Sequence, residues 1–354
     1  MLIVKLAAMG DIVMASTLIG AVRDRWPDAQ ITWLTGDQFA PLVRRFEGVD
    51  VVRSVDAESL LAGPAFRAAH RAPHAALKRA AAIASTVRAI GRRPWDLALV
   101  AHSDERYAQL LRFAKVRDLR QFKEPRKDRY MGLEYSSMLE DAGPSSPLSP
   151  VLSPLPSPRH NPPLHLPSLT QLNKQQPARR VTLAPGGARN LLRDNPLRRW
   201  PVESWAALAR ELKAANCELT IIGAASDRAE ADVVLAAVPD ARDEVGKQDL
   251  DALLAELASS DVLVTHDSGP MHLAQLTRTP VVALFGPTSP TQFVAPGADV
   301  TVLSAAQHLP CAPCYDGKDY AVCSANLCLS RVGPEMAAGT VLAVLAGRRE
   351  KGGG

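Results

Sequence analysis

Two short polar stretches of this sequence contain residue types that could carry out chemistry, and each directly follows an apolar segment. In the first stretch, Gly10 and Asp11 follow the apolar run that begins at Leu2. In the second, a polar loop containing Asp267 follows the run VLV at residues 262–264. Open α/β sheets bind ligands at the carboxyl ends of their buried parallel strands, so both stretches are candidate site loops.

The Asp267 loop has features of an anion-binding site. Asp267 or Ser268 can cap the helix that follows, and the unpaired N–H groups of a helix N-terminus suit a phosphate. Gly186 and Gly187 follow another predicted strand, and paired glycines let the backbone approach a diphosphate closely. Each of these signals is also compatible with an ordinary turn between a strand and a helix.

Asp11 is the candidate general base, a group that takes a proton from an attacking hydroxyl. Its ordinary pKa of about 3.9 keeps it ionised at neutral pH, and burial near a ligand would raise its basicity. The structural alternative is that Asp11 caps the helix beginning at Ile12. Lys5 lies inside the preceding strand, where its charge either serves the site or is paired.

Composition limits the class of protein. With 354 residues, 47% of them hydrophobic and 22% charged, the chain is long enough for two globular domains. A net charge of +4 and a pI near 8.8 fit an anionic ligand or membrane surface. The balance is too weakly basic, and aromatic residues are too few, to indicate nucleic acid.

The sequence predicts no membrane-spanning segment and no signal peptide. No run approaches the about 18 apolar residues of a transmembrane helix. The apolar N-terminus is interrupted by Lys5 and Asp11 and is better interpreted as a first strand. We therefore expect a cytoplasmic protein whose membrane contact, if any, is peripheral.

Alternating strand and helix patterns predict two parallel α/β domains. The predicted organisation is an N-terminal domain at 1–165, a Pro- and Ser-rich linker region at 144–178, and a second domain at 179–332. The last helix, within 333–354, is expected to pack back towards the first domain. Among the individual elements, a single helix is predicted from Ile12 to Trp26.

Three charged segments allow two interpretations each. Residues 66–93, rich in Ala, Arg and His, form either a solvated helix face or a basic lip for an acidic acceptor or anionic lipid headgroups. Arg189 and Arg193, in the loop RNLLRDNPL, either clamp phosphate or are exposed. Asp227 and Glu230 either bond a ribose hydroxyl or supply the negative charge favoured at a helix N-terminus.

Cysteines cluster in the second domain, with the spacing C-x2-C followed by C-x4-C. In a cytoplasmic chain such spacing favours metal over disulfide. A structural zinc or iron, reduced thiols and a disulfide all remain open at this stage. The four candidate ligands are Cys311, Cys314, Cys323 and Cys328.

Three motifs together resemble glycosyltransferase family 9, the ADP-heptose:lipopolysaccharide heptosyltransferases. The sequences DSGPMHLA (267–274) and PVVALFGPTSP (280–290) resemble the signature of that family. KLAAMGDIVMAS (5–16) resembles its first strand and Gly-Asp loop, and RRWP (198–201) resembles its basic-x-Trp-Pro element. The resemblance covers most of the chain in the expected order and is weakest at 60–176.

The resemblance implies a GT-B fold, in which two Rossmann-like domains with parallel sheets face an interdomain cleft. It also implies transfer of heptose from ADP-heptose to a lipopolysaccharide inner-core sugar, with inversion. Asp11 matches the family's base, and Arg198 stands where the family has a diphosphate-contacting Lys. No Asp-x-Asp pair occurs at a plausible strand end, which favours a mechanism without metal. The donor-binding residues implied are Gly186, Gly187, Arg198, Asp267, Ser268, Gly269 and His272.

Two other functions fit the same residues. One is a family 9 transferase with another nucleotide sugar or an acceptor outside lipopolysaccharide, which the longer loop at Arg189 keeps open. The other is a non-catalytic nucleotide-binding protein that has kept the fold. Asp11 argues against the second, because binding alone needs no base.

Overall fold

The structure is a computed structural model in which the chain divides into two compact units. The first unit is described over residues 1–140 and the second over 179–352, with internal gaps. The predicted linker at 144–178 and Arg193 lie outside the described residues. The residues described are 1–61, 73–91, 93–126, 128–140, 179–189, 194–316 and 319–352.

The first unit is built around a parallel five-stranded sheet. Its elements are β1 (Leu2–Val4), α1 (Met9–Ala15), α2 (Thr17–Arg25), β2 (Thr32–Gly36), α3 (Ala40–Val43), β3 (Val51–Val55), α4 (Ala57–Leu61), α5 (Pro73–Ile90), β4 (Trp95–Val100), α6 (Glu105–Gln109), β5 (Val116–Gln121) and α7 (Met131–Ser136), with 3-10 helices at Asp37–Phe39, Leu110–Phe113 and Ser137–Leu139.

The strand order of this sheet is β3-β2-β1-β4-β5, so β1 is central. Leu2 of β1 pairs with Thr32 on one side and with Ala98 on the other. The order reverses between β1 and β4, and such a switch point leaves a crevice at the carboxyl ends of the two strands. The segments after β1 and β4, which carry Asp11 and His102, therefore meet at this point.

The helix predicted from Ile12 to Trp26 is two helices, α1 and α2, separated at Ser16. The Ser16 hydroxyl donates to the carbonyl of Val13 at 2.6 Å, and the Thr17 hydroxyl donates to that of Met14 at 2.9 Å. Hydroxyls that bond back to the preceding turn compete with the regular helix ladder and bend it. The apolar periodicity continues through the break, which is why the sequence pattern conceals it.

The second unit is built around a parallel six-stranded sheet. Its elements are β6 (Arg179–Ala184), α8 (Val202–Ala214), β7 (Cys217–Ile221), α9 (Arg228–Ala237), β8 (Arg242–Asp243), α10 (Leu250–Ser259), β9 (Val262–His266), α11 (Gly269–Thr277), β10 (Val281–Leu284), α12 (Pro290–Phe293), β11 (Val300–Leu303), α13 (Leu327–Ser330) and α14 (Pro334–Gly352), with 3-10 helices at Pro196–Arg198, Ala225–Asp227 and Ala306–His308.

The strand order of the second sheet is β11-β10-β9-β6-β7-β8. The order reverses between β6 and β9, so the loops after these two strands share a switch point. One loop contains Gly186 and Gly187, and the other contains Asp267. The fold thus brings together two stretches that are about eighty residues apart in sequence.

The last helix, α14, packs within the second unit. It contacts α8, β9 and β10, and its buried side chains Ala337, Val341 and Leu345 belong to the core of that unit. The prediction that this helix also reaches the first domain stays a prediction, as does the interdomain cleft. Across the described ranges no helix is long and apolar enough to cross a membrane.

Candidate active site

Asp11 forms an ion pair with a buried lysine of the central strand of the first unit. Lys5 Nζ lies 3.2 Å from Asp11 Oδ2, and the same amine donates to the Tyr135 hydroxyl at 3.2 Å. The Lys5 side chain is 1% exposed, whereas that of Asp11 is 36% exposed. In this pair the cation is therefore buried, and the carboxylate is partly exposed to solvent. Lys5 is paired, and its partner is the candidate base itself.

The pKa of Asp11 is lowered from its ordinary value. Burial alone would raise it, but the charge of Lys5, followed by His102 and hydrogen bonds from Lys5 and the Ala8 N–H, outweighs burial. Burial also lowers the pKa of Lys5, although Asp11 partly opposes that shift. Asp11 is thus a carboxylate that stays ionised well into the acid range.

Asp11 also stabilises the start of α1. This helix begins at Met9, three residues earlier than predicted, and Asp11 is its third residue. Its Oδ2 accepts the N–H of Ala8 at 3.4 Å. The capping interpretation and an exposed carboxylate therefore occur together.

His102, which the sequence analysis did not single out, lies beside this pair. Its Nδ1 accepts the N–H of Asp104 at 2.9 Å, and its ring stacks on Tyr107 at 4.1 Å. Burial, followed by the charge of Lys5, lowers the pKa of His102 to about 4. The ring is therefore neutral at pH 7, with its proton on Nε2. Its position after β4 becomes significant only once the strand order is known.

In the second unit, Arg198 forms an ion pair with Asp267. Arg198 Nη2 lies 2.9 Å from Asp267 Oδ2 and also donates to the Asp267 carbonyl. Asp267 is 2% exposed and Arg198 is 19% exposed. The Nε of Arg198 has no hydrogen-bond acceptor among the described residues. In this pair the carboxylate is buried, and the cation is partly exposed to solvent.

Asp267 is not the capping residue of α11. The cap position belongs to Ser268, whose hydroxyl lies 3.1 Å from the Thr265 hydroxyl. The Asp267 carboxylate instead accepts the Thr288 hydroxyl at 2.7 Å, and His272 Nε2 lies 3.9 Å from its other oxygen. Asp267 and His272 are both buried, and Gly269 is the first residue of α11.

Gly186 and Gly187 lie against a carboxylate network. Gly187 has φ of +89°, and its N–H donates to Asp227 Oδ1 at 3.1 Å. Arg189 bridges Asp227 at 2.8 Å and Glu230 at 2.5 Å. Arg189 is therefore not simply exposed, because it forms ion pairs with both Asp227 and Glu230. No spacing pattern in the sequence connects these three residues.

His266 connects the two candidate loops of the second unit, a role missed in the sequence. It is fully buried at the end of β9, which extends two residues beyond the predicted strand. Its Nε2 accepts the N–H of Trp200 at 2.8 Å, so its Nδ1 carries the proton and donates to the Gly186 carbonyl at 3.0 Å. Burial, opposed in part by the Gly186 carbonyl, lowers its pKa to about 4. The only sequence signal is its place next to Asp267.

The predicted structural metal site is not supported. Within the described ranges, no group of three or more His, Cys, Asp or Glu side chains is arranged to hold a metal ion. Cys311 and Cys323 are exposed and Cys328 is buried, and all are free thiols, as is Cys314. Burial, then the nearby Cys314, raises the pKa of the Cys328 thiol. These thiols are neighbours without forming a coordination shell.

The arrangement combines an exposed carboxylate at one switch point with a guanidinium and helix N-terminus at another. Residues 155–323 match the model described as "Glycosyltransferase family 9 (heptosyltransferase)". The chain carries a glycosyltransferase family 9 domain. This match contains Arg198, Asp267 and the Gly186 loop, and it confirms the resemblance inferred from the motifs.

Curated relatives match a limited part of the chain. One is the lipopolysaccharide heptosyltransferase 2 of Escherichia coli K12, which is 35% identical over 100 residues, covering 27% of this chain and 29% of that protein. Another is the lipooligosaccharide heptosyltransferase 2 of Haemophilus influenzae, 34% identical over 109 residues, 29% of this chain and 31% of that protein. The chain thus spans under a third of the length of these relatives.

Solved structures match across nearly the whole chain. The structure of E. coli ADP-heptose lps heptosyltransferase II aligns with a TM-score of 0.69 and 20% identity, covering 98% of this chain and 99% of that one. At this identity the likeness shows the fold. Together with the two parallel sheets, it confirms the predicted GT-B fold class.

Proposed function

We propose that the protein is an inverting, metal-independent glycosyltransferase that moves heptose from ADP-heptose to a lipopolysaccharide inner-core sugar. The observation that carries this proposal is the Lys5–Asp11 pair. A buried cation holds a partly exposed carboxylate ionised at the carboxyl edge of the first sheet. A protein that only bound nucleotides would have no use for such a base.

The donor diphosphate is proposed to bind at the N-terminus of α11. Among the described residues, the N–H groups of Ser268 and Gly269 have no backbone acceptor, and an anion is stabilised at such a helix end. The partly exposed guanidinium of Arg198 adds a fixed positive charge. Asp267 is proposed to act indirectly, by orienting Arg198, because its own carboxylate would repel a diphosphate.

Gly186 and Gly187 are proposed to line the same diphosphate site. A Cβ on Gly186 would clash with the Asp227 side chain at 2.3 Å, and one on Gly187 would crowd Ser268. His272 is proposed to position Asp267 from one turn further along α11. These residues, with Arg198, set the position of the leaving group.

In the proposed reaction, the acceptor hydroxyl oxygen attacks the anomeric carbon of the heptose on the face opposite the diphosphate. Its proton passes to a carboxylate oxygen of Asp11 as the new glycosidic bond forms. The bond between the anomeric carbon and the diphosphate oxygen breaks, and its electron pair leaves with ADP. Arg198 and the α11 amides stabilise that charge, so no metal is required. A single displacement of this kind inverts the configuration.

ADP-heptose is proposed as the donor because the family model and the curated relatives are heptosyltransferases. A further solved structure of similar fold is E. coli heptosyltransferase WaaC with ADP-2-deoxy-2-fluoro heptose, at a TM-score of 0.66 and 17% identity over 97% of this chain and 98% of that one. A lipid-linked acceptor would place the protein at the cytoplasmic face of a membrane, in peripheral contact with it.

The proposal is tested with purified protein, a panel of ADP-, UDP- and GDP-sugars, and a delipidated inner-core acceptor. We expect ADP release only with ADP-heptose, and inversion at the anomeric carbon in the product by NMR. Calorimetric titration of ADP, UDP and GDP gives an independent readout of nucleotide preference. Transfer from a different nucleotide sugar would instead support the alternative, a family 9 transferase with another donor. Tight ADP binding without any transfer would favour the non-catalytic alternative.

A further inference from the structure

Two polar atoms beside the Lys5–Asp11 pair have no partner among the described residues, and one is an acceptor while the other is a donor. The acceptor is Oδ1 of Asp11, since Lys5 and the Ala8 N–H both lie against Oδ2. The donor is Nε2 of His102, since the other ring nitrogen is taken by the Asp104 N–H. Neither atom is shielded from solvent. Both can therefore meet a ligand.

The pairing of β1 with β4 brings the donor and the acceptor together. The Ala101 N–H donates to the Val4 carbonyl at 3.0 Å. Lys5 follows Val4 and His102 follows Ala101, so the two side chains leave neighbouring strands at the same level. After burial and the charge of Lys5, the Asp11 carboxylate is the next influence on the pKa of His102. The free donor and the free acceptor thus lie near one point of the carboxyl edge.

The His102 ring is held in place without the use of Nε2. One face stacks on buried Tyr107, with the two rings 4° from parallel and their centroids 4.1 Å apart. Nδ1 accepts the Asp104 N–H at 2.9 Å, and Gln121 Nε2 donates to the His102 carbonyl at 3.0 Å. A donor that is already fixed loses little conformational entropy when a ligand binds. The Nε2–H group is therefore a preorganised hydrogen-bond donor.

His102 is suited to donate a hydrogen bond and not to take a proton. Its Nδ1 lone pair already accepts the Asp104 N–H, and Nε2 carries the ring proton. Burial, followed by the charge of Lys5, lowers its pKa to about 4, so the ring is neutral at pH 7. In the proposed reaction the proton of the acceptor hydroxyl therefore goes to Asp11, and His102 has a different use.

We propose that His102 selects which hydroxyl of the acceptor sugar reacts, by donating from Nε2 to the hydroxyl beside the attacking one. Asp11 Oδ1 accepts the attacking hydroxyl, and the neighbouring hydroxyl oxygen accepts from His102. A sugar hydroxyl both donates and accepts hydrogen bonds, so two neighbouring hydroxyls match a carboxylate oxygen beside an N–H donor. A sugar turned to bring another hydroxyl to Asp11 would leave the His102 N–H without this bond. This role of His102 rests on the proposed function, in which Asp11 is the base.

Two variants of His102 test the ring and its N–H separately. His102→Phe keeps a ring on Tyr107 but has no N–H, whereas His102→Gln loses the ring and keeps an N–H donor. We expect kcat/KM for the acceptor to fall about tenfold in His102→Phe, as for one lost hydrogen bond. His102→Gln should recover most of that loss. A purely structural ring predicts the opposite order.

A panel of acceptors identifies the hydroxyl that His102 contacts. The panel consists of the delipidated inner-core acceptor and its deoxy forms, each lacking one hydroxyl beside the reacting one. With one deoxy form the parent should lose about tenfold in kcat/KM, and His102→Phe should lose nothing further, because both changes remove the same bond. With the complete acceptor, NMR of the product should show one linkage for the parent and a second linkage for His102→Phe.

His308 provides the matched control, because its imidazole is exposed on the second unit. His308→Phe makes the same chemical change and should transfer to every acceptor as the parent does. Each variant is checked for folding by circular dichroism and for ADP affinity by calorimetry. Both should equal those of the parent, since the proposed nucleotide site belongs to the second unit.

Binding of the acceptor saccharide, measured by calorimetry, needs no transfer and separates this role of His102 from the proposed function. The parent should bind the saccharide about tenfold more tightly than His102→Phe does. Saccharide binding that depends on His102, without any transfer by the parent, would refute the proposed function alone.

Three outcomes would overturn the assignment of His102. One is a parent chain that is folded and binds ADP but does not bind the saccharide. Another is a His102→Phe variant with the saccharide affinity, the rate and the single product linkage of the parent. The third is an equal loss in His102→Phe on every acceptor, deoxy forms included, which would make the ring structural.

Discussion

Each of the two units has one ion pair at the switch point of its parallel sheet. The two pairs differ in which partner is buried, the cation or the carboxylate. In the first unit Lys5 is buried and Asp11 is partly exposed, whereas in the second Asp267 is buried and Arg198 is partly exposed. A buried partner fixes the charge state and position of the presented one. In the proposed reaction, the first unit supplies the base and the second supplies a clamp for an anion. The two units would in this way divide the two demands of glycosyl transfer.

The largest expected difference between the units is in the stability lost when the carboxylate of each ion pair is replaced. Asp267→Asn leaves the Arg198 guanidinium, which cannot lose its proton, without its carboxylate. We expect the free energy of unfolding to fall by about 1.5–3 kcal/mol, the contribution of a hydrogen bond to a charged group, because the partly exposed guanidinium can still be hydrated. Asp11→Asn should destabilise less, because buried Lys5 can lose its proton instead. Denaturant unfolding at pH 7 measures both, and equal losses would contradict the comparison.

Arg198→Gln is expected to weaken ADP binding roughly a hundredfold, since hydrogen bonds to charged groups contribute about 1.5–3 kcal/mol each. Arg198→Lys, which keeps the charge but loses the fork, should lose about tenfold. Calorimetry with ADP measures both affinities. The double variant Arg198→Gln/Asp267→Asn controls for folding: it should regain stability relative to Asp267→Asn while still binding ADP poorly. Restored ADP affinity in that variant would show that Arg198 acts only structurally.

Lys5→Met is expected to move the acid limb of the pH profile of kcat/KM to higher pH. Lys5 lowers the pKa of Asp11 against the effect of burial, so removing its charge lets burial raise that pKa. The base is then protonated at a pH where the parent enzyme is still active. Tyr135→Phe removes the other partner of Lys5 without changing charge and should leave the limb in place. An unshifted limb in Lys5→Met would show that a group other than Asp11 titrates.

The smallest expected effect is that of a chelator. If the α11 amides and Arg198 stabilise the leaving diphosphate, EDTA should change neither the transfer rate nor the melting temperature. Atomic absorption on the purified protein is the companion measurement. A loss of activity that added Mg²⁺ or Mn²⁺ restores would mean that the second unit does not supply enough positive charge by itself.

Much of the fold follows from the sequence because its buried strands are strongly apolar. The strand before Asp267 and the helix after it occur where they are predicted, and the strand extends only two residues further. β5 (VRDLRQ) was missed because an edge strand can be polar on most of its length. The break at Ser16 was missed because the apolar period continues across it.

The candidate site was less predictable, because its contacts depend on strand order. His102 becomes a neighbour of Asp11 only when β4 is known to lie beside β1. Likewise, His266 bonds to Gly186 because β6 and β9 are adjacent. The net lowering of the Asp11 pKa could not be predicted from the sequence, since no sequence pattern shows that Lys5 points at the same loop. The spacing of the motifs was enough to predict where the site loops lie. The ion pairs between their charged residues could be identified only in the structure.

The central claim is that the first unit supplies the base and the second holds the nucleotide. It is tested most directly by measuring turnover and the ADP dissociation constant on the same preparation of Asp11→Asn. We predict a loss of turnover of at least about a thousandfold, within the range for a general base, with ADP affinity unchanged. Turnover close to that of the parent enzyme, or a parallel loss of ADP binding, would contradict the account.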